Sequence, residues 1–510
     1  MVSTSEKPAA YIISTIDAEQ ANLATIDSSL ESKLVRKQDI RVLPMVFLMY
    51  FLTFLDRTNL GNARIAGMEK ELNLGTYGFN IGACLYYAIY LVVDVPASLS
   101  VKKFGFRVIP LSCIAFGVVT IGTAYVHNSA GFYAVRLLLG LTESFQLPGL
   151  SYLISRYYRR HEVTVRICFF TLGAAGLSGG FGGLLASGLL RLGSVGNVKS
   201  WRVIFLIEGV ITVCVGIISL WLFPADPSET QIYNEEERQL AMNRLFRDQP
   251  AILDHKEKIT WRLLSRGILN VNVLVGAWIY TCNQITVQGL AIFTPTILRL
   301  NYPSKSSIQI QLLSSAPPLA SMVFAMTIAY ITMKTRKHGI AISCCASLCV
   351  LGYGIWLGSR NPKVRYAAVF LNTAGGYGFG PLVIGWTLSN AAPDTAKNVA
   401  NAAVSAVANI GTYPTFMSSA NLLTLTLTYA GSIVATWSYI NTDAKNRYKI
   451  GNSLNTATAI SVMFASLSLV IYQTRENRKR RAGDRDYRLD NSAEELASLG
   501  HLHPNFLYIH

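Results

Sequence analysis

The sequence predicts an all-α polytopic membrane protein, built as two six-helix bundles joined by a cytoplasmic linker. Two observations lead to this fold class. Of the 510 residues, 51% are hydrophobic and only 15% are charged, against roughly 25% charged residues in soluble globular domains. Uncharged stretches of about 20 residues, long enough to cross a bilayer as helices, also recur along the chain. A single soluble core would not require such stretches.

The apolar stretches form two groups of six, separated by a polar segment. The first group lies near residues 42–62, 78–99, 107–127, 129–155, 166–190 and 203–223. The second group lies near residues 267–296, 309–333, 339–358, 364–390, 398–440 and 453–473. The chain therefore divides into an N-terminal bundle at 42–223, a linker at 224–265 and a C-terminal bundle at 266–473.

The segments outside the bundles are polar. Residues 1–41 are Ser-rich and contain no apolar core of a cleavable signal peptide, so we expect a disordered cytoplasmic tail there. Residues 474–510 form a second cytoplasmic tail. The linker carries Glu235, Glu236 and Glu237, followed by basic residues, a pattern typical of a short amphipathic helix.

The basic residues indicate topology. The formal net charge is +16, but the basic residues fall in short runs between the spans, which argues against nucleic-acid binding. Clusters at 36–41, 102–107, 156–160, 334–337 and 475–481 occupy alternate loops, and this places both termini in the cytoplasm. The loop with Arg360, Lys363 and Arg365 breaks the rule. We expect a multi-pass protein in the lipid bilayer of the plasma membrane.

One stretch is too long for a single span. No charged residue occurs between Lys397 and Asp443, yet two helices there would make thirteen spans and move the basic tail outside. Removing residues 412–431 restores a helix of ordinary length. This segment is either translated intron sequence, because it contains residues that splice signals can encode, or a Thr-rich insertion in the eleventh helix.

Ionisable residues inside spans are the first candidates for function. A charged side chain at the centre of a membrane helix costs about 2.5–3.5 kcal/mol on insertion scales, so it needs a partner or an aqueous cavity. Arg57 in the first span stays charged and can bind a carboxylate through two hydrogen bonds. We predict that Arg57 receives an anion, with Asn59 as a second binding residue. The alternative is a structural ion pair between Arg57 and an acid on a neighbouring helix.

The fourth span adds a second pair of candidates. Arg136 and Glu143 lie seven residues apart, close to two helical turns, so they share one face. Arg136 is a further anion-binding candidate. A carboxyl in an apolar setting can gain or lose a proton as nearby charges change, so we predict that Glu143 couples transport to protons, unless it only neutralises Arg136. Asp56 points about 100° away from Arg57 and is a packing, gating or proton-coupling acid.

The remaining polar candidates are weaker. Asp94 and Glu208 lie near predicted helix ends, and we assign them a gating or structural role, together with Lys102, Lys103 and Arg107 in the adjoining loop. Polar residues of the C-terminal bundle line the other side of the predicted cavity, although such residues also serve as contacts between helices. These residues are Tyr280, Asn283, Trp386 and Asn390.

Glycines in the fifth span predict close helix packing. They lie at 173, 176, 179, 180, 182, 183 and 188, and no Lys-Ser or Lys-Thr follows them, so they do not form a phosphate loop. All seven His lie in loops, at span ends or in the tail, and all eight Cys lie in apolar segments. We therefore predict no metal site, no disulfide and no enzyme active site.

Several motifs together resemble one family. They are FLDRTNLGNA at 54–63, DVPA at 94–97, RLLLGLTE at 136–143 with PG at 148–149, FLIEG at 205–209 and YKIGN at 448–452. These motifs are similar to those of the fungal allantoate permease branch of the anion:cation symporter family, within the major facilitator superfamily. The resemblance covers about residues 40–475.

The resemblance implies an alternating-access carrier whose site lies between its two bundles. It implies proton-coupled symport of a small carboxylate nutrient, such as allantoate, nicotinate or pantothenate. We expect a monomer that uses no cofactor apart from protons as the coupling ion. An exporter of drugs or metabolites on the same fold is the alternative.

Overall fold

The computed structural model describes residues 28–248, apart from the loop residues 197, 225, 228, 229 and 231, together with residues 271–390, 431–488 and 506–508. The described chain is almost entirely helical. Its helices are α1 (Ser28–Ile65), α2 (Met68–Glu71), α3 (Gly78–Phe104), α4 (Val108–Thr123), α5 (Ser129–Glu143), α6 (Gln146–Tyr157), α7 (Arg160–Leu192), α8 (Arg202–Leu222), α9 (Glu235–Asp248), α10 (Val271–Asn301), α11 (Ser307–Thr335), α12 (His338–Gly358), α13 (Pro362–Ser389) and α14 (Lys449–Arg481).

Short elements complete the structure. A helical stretch covers residues 431–437, and 3-10 turns cover Asn441–Asp443 and Asp486–Arg488. The strands β1 (Ser194–Val195) and β2 (Val198–Lys199) form an antiparallel hairpin between α7 and α8, which the sequence analysis did not predict. Seven of the described helices are long and apolar enough to cross a membrane, as a multi-pass membrane protein requires.

Each bundle is held together by extensive contacts between its helices. In the N-terminal bundle, α4 packs against α8, α1 against α7 and α3 against α5. In the C-terminal bundle, α12 packs against α13 and α14, and α11 packs against α13. The two bundles meet where α1 contacts α10 and where α7 contacts α11.

The glycines of α7 allow the close approach to α11. A Cβ atom added at Gly183 would lie 2.6 Å from the backbone oxygen of Gln311, and one at Gly176 would lie 2.7 Å from Cβ of Met322. Both distances are too short for a real side chain. The small residues of the fifth span therefore serve helix packing, as the sequence predicts.

The fourth span is a broken helix. Residues 144 and 145 form a turn between α5 and α6. Pro148 has no N–H to donate to the carbonyl of Ser144, and its ring would clash with that carbonyl in a continuous helix. The hydrogen bonding resumes at Gly149, whose N–H donates to Phe145 O at 3.1 Å. The break ends α5 directly after Glu143.

The structure corrects the predicted start of the first helix. α1 begins at Ser28, well inside the segment 1–41 that was predicted as a disordered tail; residues 1–27 lie outside the described residues. Leu34, Gln38, Val42 and Val46 recur every four residues and are buried. This face of α1 packs against the linker region. Its burial there supplies the helix stability that the polar composition of this segment does not provide.

The structure also shows the helix of the linker and the end of the last helix of the C-terminal bundle. The described part of the linker contains α9, and Arg244 of α9 is buried beside Glu31 of α1, with Nε to Oε1 at 2.8 Å. α14 continues eight residues beyond the predicted boundary at 473, because Asn477 and Arg480 are buried against residues 506–508. Residues 249–270 lie outside the described part of the chain, as does the questioned segment 412–431 apart from its last residue, Gly431.

Candidate functional site

Five ionisable side chains of the N-terminal bundle lie together inside the membrane-spanning region. Asp56 and Arg57 come from α1, Arg136 and Glu143 from α5, and Glu208 from α8. Asp56, Glu143 and Glu208 are fully buried, and Arg136 is almost so. The Arg57 side chain is about 10% exposed. Buried charges of this kind require partners, and the pairing determines what the cluster can do.

Arg57 is paired with Glu143. Its Nε and Nη2 donate to the same oxygen, Oε1 of Glu143, at 3.1 and 2.8 Å. The other carboxylate oxygen of Glu143 has no hydrogen-bond partner among the described residues. The Arg57 guanidinium is therefore bound at one edge by a single oxygen atom, and this arrangement leaves donor capacity for another acceptor.

Aromatic rings enclose the same guanidinium. The centroids of Phe54, Tyr86 and Tyr90 lie 4.9, 5.7 and 5.7 Å from Cζ of Arg57, and Arg57 Nε also lies 3.2 Å from the Tyr86 hydroxyl. These rings stabilise the cation without neutralising it. The sequence analysis missed the tyrosines. Their spacing in α3, with Tyr86 and Tyr90 four residues apart, places both on one helical face and was the available signal.

Arg136 pairs with Asp56 instead of Glu143. Its Nη1 donates to Asp56 Oδ2 at 3.2 Å, whereas its Nε and Nη2 have no hydrogen-bond partner within the described chain. The neighbours Asp56 and Arg57 thus bind different partners, as their 100° offset predicts. The alternative that Glu143 only neutralises Arg136 is wrong, because the partner of Glu143 lies on α1 and not on its own helix.

Glu208 belongs to this cluster, and its predicted place at a helix end is wrong. It lies about two turns into α8, where its Oε2 accepts a hydrogen bond from Nδ2 of Asn59 at 2.9 Å. Oδ1 of Asn59 accepts from Nδ2 of Asn62 at 3.2 Å. Asn59 therefore contacts an acid of the cluster. Asp94 is likewise buried, about three turns before the end of α3.

The loop residues assigned to gating lie at the surface. Lys103 and Arg107 are exposed at the junction of α3 and α4, and Lys103 Nζ lies 5.4 Å from the ring centroid of Phe104. The side chain of Lys102 is outside the described part of the structure. Their gating role stays a prediction.

The candidates of the C-terminal bundle take part in its internal packing. Asn283 of α10 donates to the backbone oxygen of Gly376 in α13 at 2.7 Å, and Tyr280 packs against the apolar cluster of this bundle. Trp386 lies against Gly339, at the start of α12, and Asn390 donates to Trp386 O at 3.2 Å. Trp386 therefore packs on α12, and the cavity-lining role of Trp386 and Asn390 stays a prediction.

A small cavity lies between the two bundles. Thr58 and Asn62 of α1 form one wall, and Thr294 of α10, Ser314 of α11 and Tyr377 of α13 contribute to the other. Thr58 follows Arg57 directly, whereas the Arg57 side chain itself contacts α3 and α5. Asn62 joins the cavity to the chain of amides that ends at Glu208.

The bundles are tied together at the Ile65 end of α1. Arg64 donates Nε to Glu69 Oε2 at 2.8 Å and Nη2 to Asn441 Oδ1 at 2.6 Å, and the Asn441 amide donates to Glu69. The Arg64 guanidinium also lies 4.1 Å from the ring centroid of Phe79. We call Arg64, Glu69 and Asn441 the bundle clasp. It joins the N-terminal bundle to the segment that precedes α14.

A second contact crosses the bundles closer to the cluster. The Tyr87 hydroxyl of α3 donates to Gln288 Oε1 of α10 at 2.9 Å, and Gln288 Nε2 donates to Gln284 Oε1 at 3.2 Å. Tyr87 is also close enough to Arg57 and Arg136 to interact with both electrostatically. The charged cluster of one bundle is therefore connected to polar groups of the other.

Comparisons with known proteins agree with the helical architecture. The sequence profile of the Major Facilitator Superfamily matches residues 46–414. An uncharacterized transporter of Schizosaccharomyces pombe is 30% identical over 72% of this chain and 76% of its own length. The high-affinity nicotinic acid transporter of Saccharomyces cerevisiae is 26% identical over 94% of this chain and 85% of its own.

The fold also resembles solved structures. The xylose transporter XylE from E. coli, in a partially occluded inward-open conformation, superposes with a TM-score of 0.60. The match covers 82% of this chain and 97% of that chain at 14% sequence identity. At this identity the similarity concerns the fold alone.

Proposed function

The chain belongs to the Major Facilitator Superfamily, and from this premise we propose that it is a secondary active transporter that carries a small organic anion together with protons. The observation that carries the proposal is the Arg57–Glu143 pair. A partly exposed guanidinium, bound by one oxygen atom and surrounded by aromatic rings, suits a carboxylate ligand better than a neutral or cationic one.

The pair suggests how protons and substrate are coupled. The two hydrogen bonds that Arg57 gives to Glu143 go to one oxygen, so an incoming carboxylate competes with Glu143 for the same donors. Protonation of Glu143 weakens its hold on the guanidinium, and the substrate carboxylate can then bind in its place. Proton binding therefore favours anion binding, which is what symport requires.

Charge balance across the membrane also favours the transport of protons together with the anion. An anion entering a cell against an inside-negative potential is opposed by about 2.3 kcal/mol per charge per 100 mV. A proton carried with each negative charge removes this cost. The Asp56–Arg136 pair beside the site offers a second carboxyl for the same purpose, and Arg136 adds positive charge that attracts the anion.

We propose a carboxylate nutrient as the substrate and assign the chain to the allantoate permease branch of the anion:cation symporters. The motifs at 54–63 and 136–143, which carry Arg57 and Glu143, support this assignment. The similarity to a nicotinic acid transporter and the aromatic rings around Arg57 favour a planar carboxylate such as nicotinate. The alternate basic loops support a plasma-membrane location with cytoplasmic termini.

Uptake by permease-deficient yeast tests the proposal. Cells expressing the protein should accumulate radiolabelled nicotinate, allantoate or pantothenate, more at acidic than at neutral external pH. Arg57→Lys should lower uptake at least about tenfold, since an ammonium cannot reproduce the two-bond contact. Arg191→Lys, at an exposed position at the end of α7, is the matched control and should behave as wild type.

Two results would contradict the proposal. Unchanged uptake by a surface-expressed Arg57→Lys variant would remove the anion-receiving role. Accumulation of the same compounds in inside-out vesicles, but not in cells, would instead indicate an exporter.

A further inference from the structure

Glu208 is the one carboxyl of the buried cluster without a cationic partner. The cluster contains two guanidinium groups and three carboxyl groups. Arg57 pairs with Glu143, and Arg136 pairs with Asp56. Glu208 accepts one hydrogen bond from the Asn59 amide, and its other oxygen has no hydrogen-bond partner among the described residues. An ionised Glu208 would therefore be a net negative charge in an apolar interior, which is strongly unfavourable.

Among the described residues packed around Glu208, Arg136 is the cation that interacts with it. The charged groups that interact with it are Asp56 and Arg136, and more weakly Glu143. α4 also packs on α8, and its sole titratable residue is Cys113, whose thiol donates to Thr212 O at 3.8 Å. α7, the third neighbour, has no charged residue between 167 and 190. Within the described part of the chain, Arg136 alone can balance Glu208, and Arg136 is already bound to Asp56.

We propose that Glu208 is a proton-carrying residue of the transport cycle, and that it shares one proton with Asp56 across Arg136. In the conformation described, Glu208 holds the proton and Asp56 is ionised and bound to Arg136. When the proton moves, the O–H bond of Glu208 breaks and one forms on Asp56. Arg136 then pairs with the ionised Glu208, and the net charge of the cluster does not change.

Two further observations fit this exchange. Arg136 Nε and Nη2 have no hydrogen-bond partner within the described chain, so donors are ready for a second carboxylate. Asn59 and Asn62 link Glu208 by hydrogen bonds to the wall of the cavity between the bundles. Through these two amides Glu208 is connected to the cavity, from which its proton is supplied.

The inference rests on the proposed function for its role in symport, but the protonation itself is measured without any substrate. Infrared spectra of the purified protein in lipid nanodiscs at neutral pH are compared between wild type and Glu208→Gln. We expect the C=O band of a protonated carboxyl in wild type, sensitive to deuterium exchange, and its loss in Glu208→Gln. Glu235→Gln, at an exposed linker position, is the control and should keep the band.

A carboxyl band that does not depend on Glu208 would overturn the proposal. A Glu208→Gln protein with the wild-type carboxyl band shows that Glu208 does not hold the proton. Glutamine keeps an acceptor for Asn59 and is neutral, so it should be tolerated. A Glu208→Gln protein that fails to fold, while Glu208→Asp folds, would also refute a neutral Glu208.

The role of Glu208 in proton coupling is tested in proteoliposomes, where an imposed pH gradient drives the uptake of radiolabelled nicotinate. Loss of one coupled proton lowers the accumulation ratio about tenfold per unit of pH gradient, while exchange of labelled for unlabelled nicotinate continues. Unchanged accumulation by Glu208→Gln contradicts the coupling role. If wild type does not transport nicotinate, that proposed substrate fails, and the infrared result still decides whether Glu208 is protonated.

Discussion

Replacing Glu143 by glutamine should separate anion binding from proton coupling. In the structure, Arg57 gives two hydrogen bonds to one oxygen of Glu143, and a substrate carboxylate must displace this acceptor. A hydrogen bond to a charged group contributes about 1.5–3 kcal/mol and a neutral one about 1 kcal/mol. Glutamine therefore removes about 0.5–2 kcal/mol of competition per hydrogen bond, which is about 2- to 30-fold tighter anion binding for each.

Equilibrium binding of radiolabelled nicotinate to the purified protein between about pH 5 and pH 8 is the assay. Wild type should bind more tightly as the pH falls, because protonation of Glu143 frees Arg57. Glu143→Gln should bind tightly at every pH, and it should lose uptake driven by a proton gradient. An unchanged affinity with the wild-type pH dependence in a folded variant would refute the competition between Glu143 and substrate. Glu235→Gln controls for loss of an acidic group elsewhere.

Three further predictions concern packing, the linker and the bundle clasp. Gly183→Ala should destabilise the protein by about 1–3 kcal/mol through overpacking, seen as a lower melting temperature, whereas Gly188→Ala, with open space around it, should not; equal melting temperatures would contradict the close contact. A hydrogen bond from Lys37 lowers the pKa of the Glu237 carboxyl. The contact therefore stabilises α9 at a pH above the ordinary pKa of a carboxyl group, and this stabilisation is lost as the pH falls through the lowered pKa. Lys37→Met should therefore remove the acid-dependent part of hydrogen-exchange protection in α9, and a wild-type profile would exclude the contact. Arg64→Ala should open the clasp and increase impermeant-thiol labelling of a cysteine placed in the cavity wall; unchanged labelling would mean that other contacts hold that side closed.

The pairing within the cluster explains why adjacent residues of α1 can have separate roles. Asp56 and Arg57 are neighbours in sequence, but each binds a different residue of α5. The break at residues 144 and 145 ends α5 just after Glu143, so the Arg57 partner lies at a helix terminus and the Asp56 partner two turns earlier. Movement of α6 relative to α5 would disturb the Arg57–Glu143 pair before the Asp56–Arg136 pair.

The sequence was sufficient to predict an all-helical membrane fold and the ionisable residues that form the buried cluster. Span prediction depends on about 20 consecutive apolar residues, a local property that any window of the chain displays. The same holds for Arg57, Arg136 and Glu143, because an ionisable residue within such a window is conspicuous. The 100° offset between Asp56 and Arg57 also follows from helix geometry alone.

Only the tertiary structure decided which groups meet. Arg57 and Glu143 are 86 positions apart, and Asn59 and Glu208 are 149 apart, so no local pattern relates them. The burial of the early part of α1, and the placement of Trp386 against α12, depend on neighbouring helices that a window of sequence does not contain. Partners across helices are set by the rotation and depth of each helix in the bundle, and these follow from the packing of all the others together.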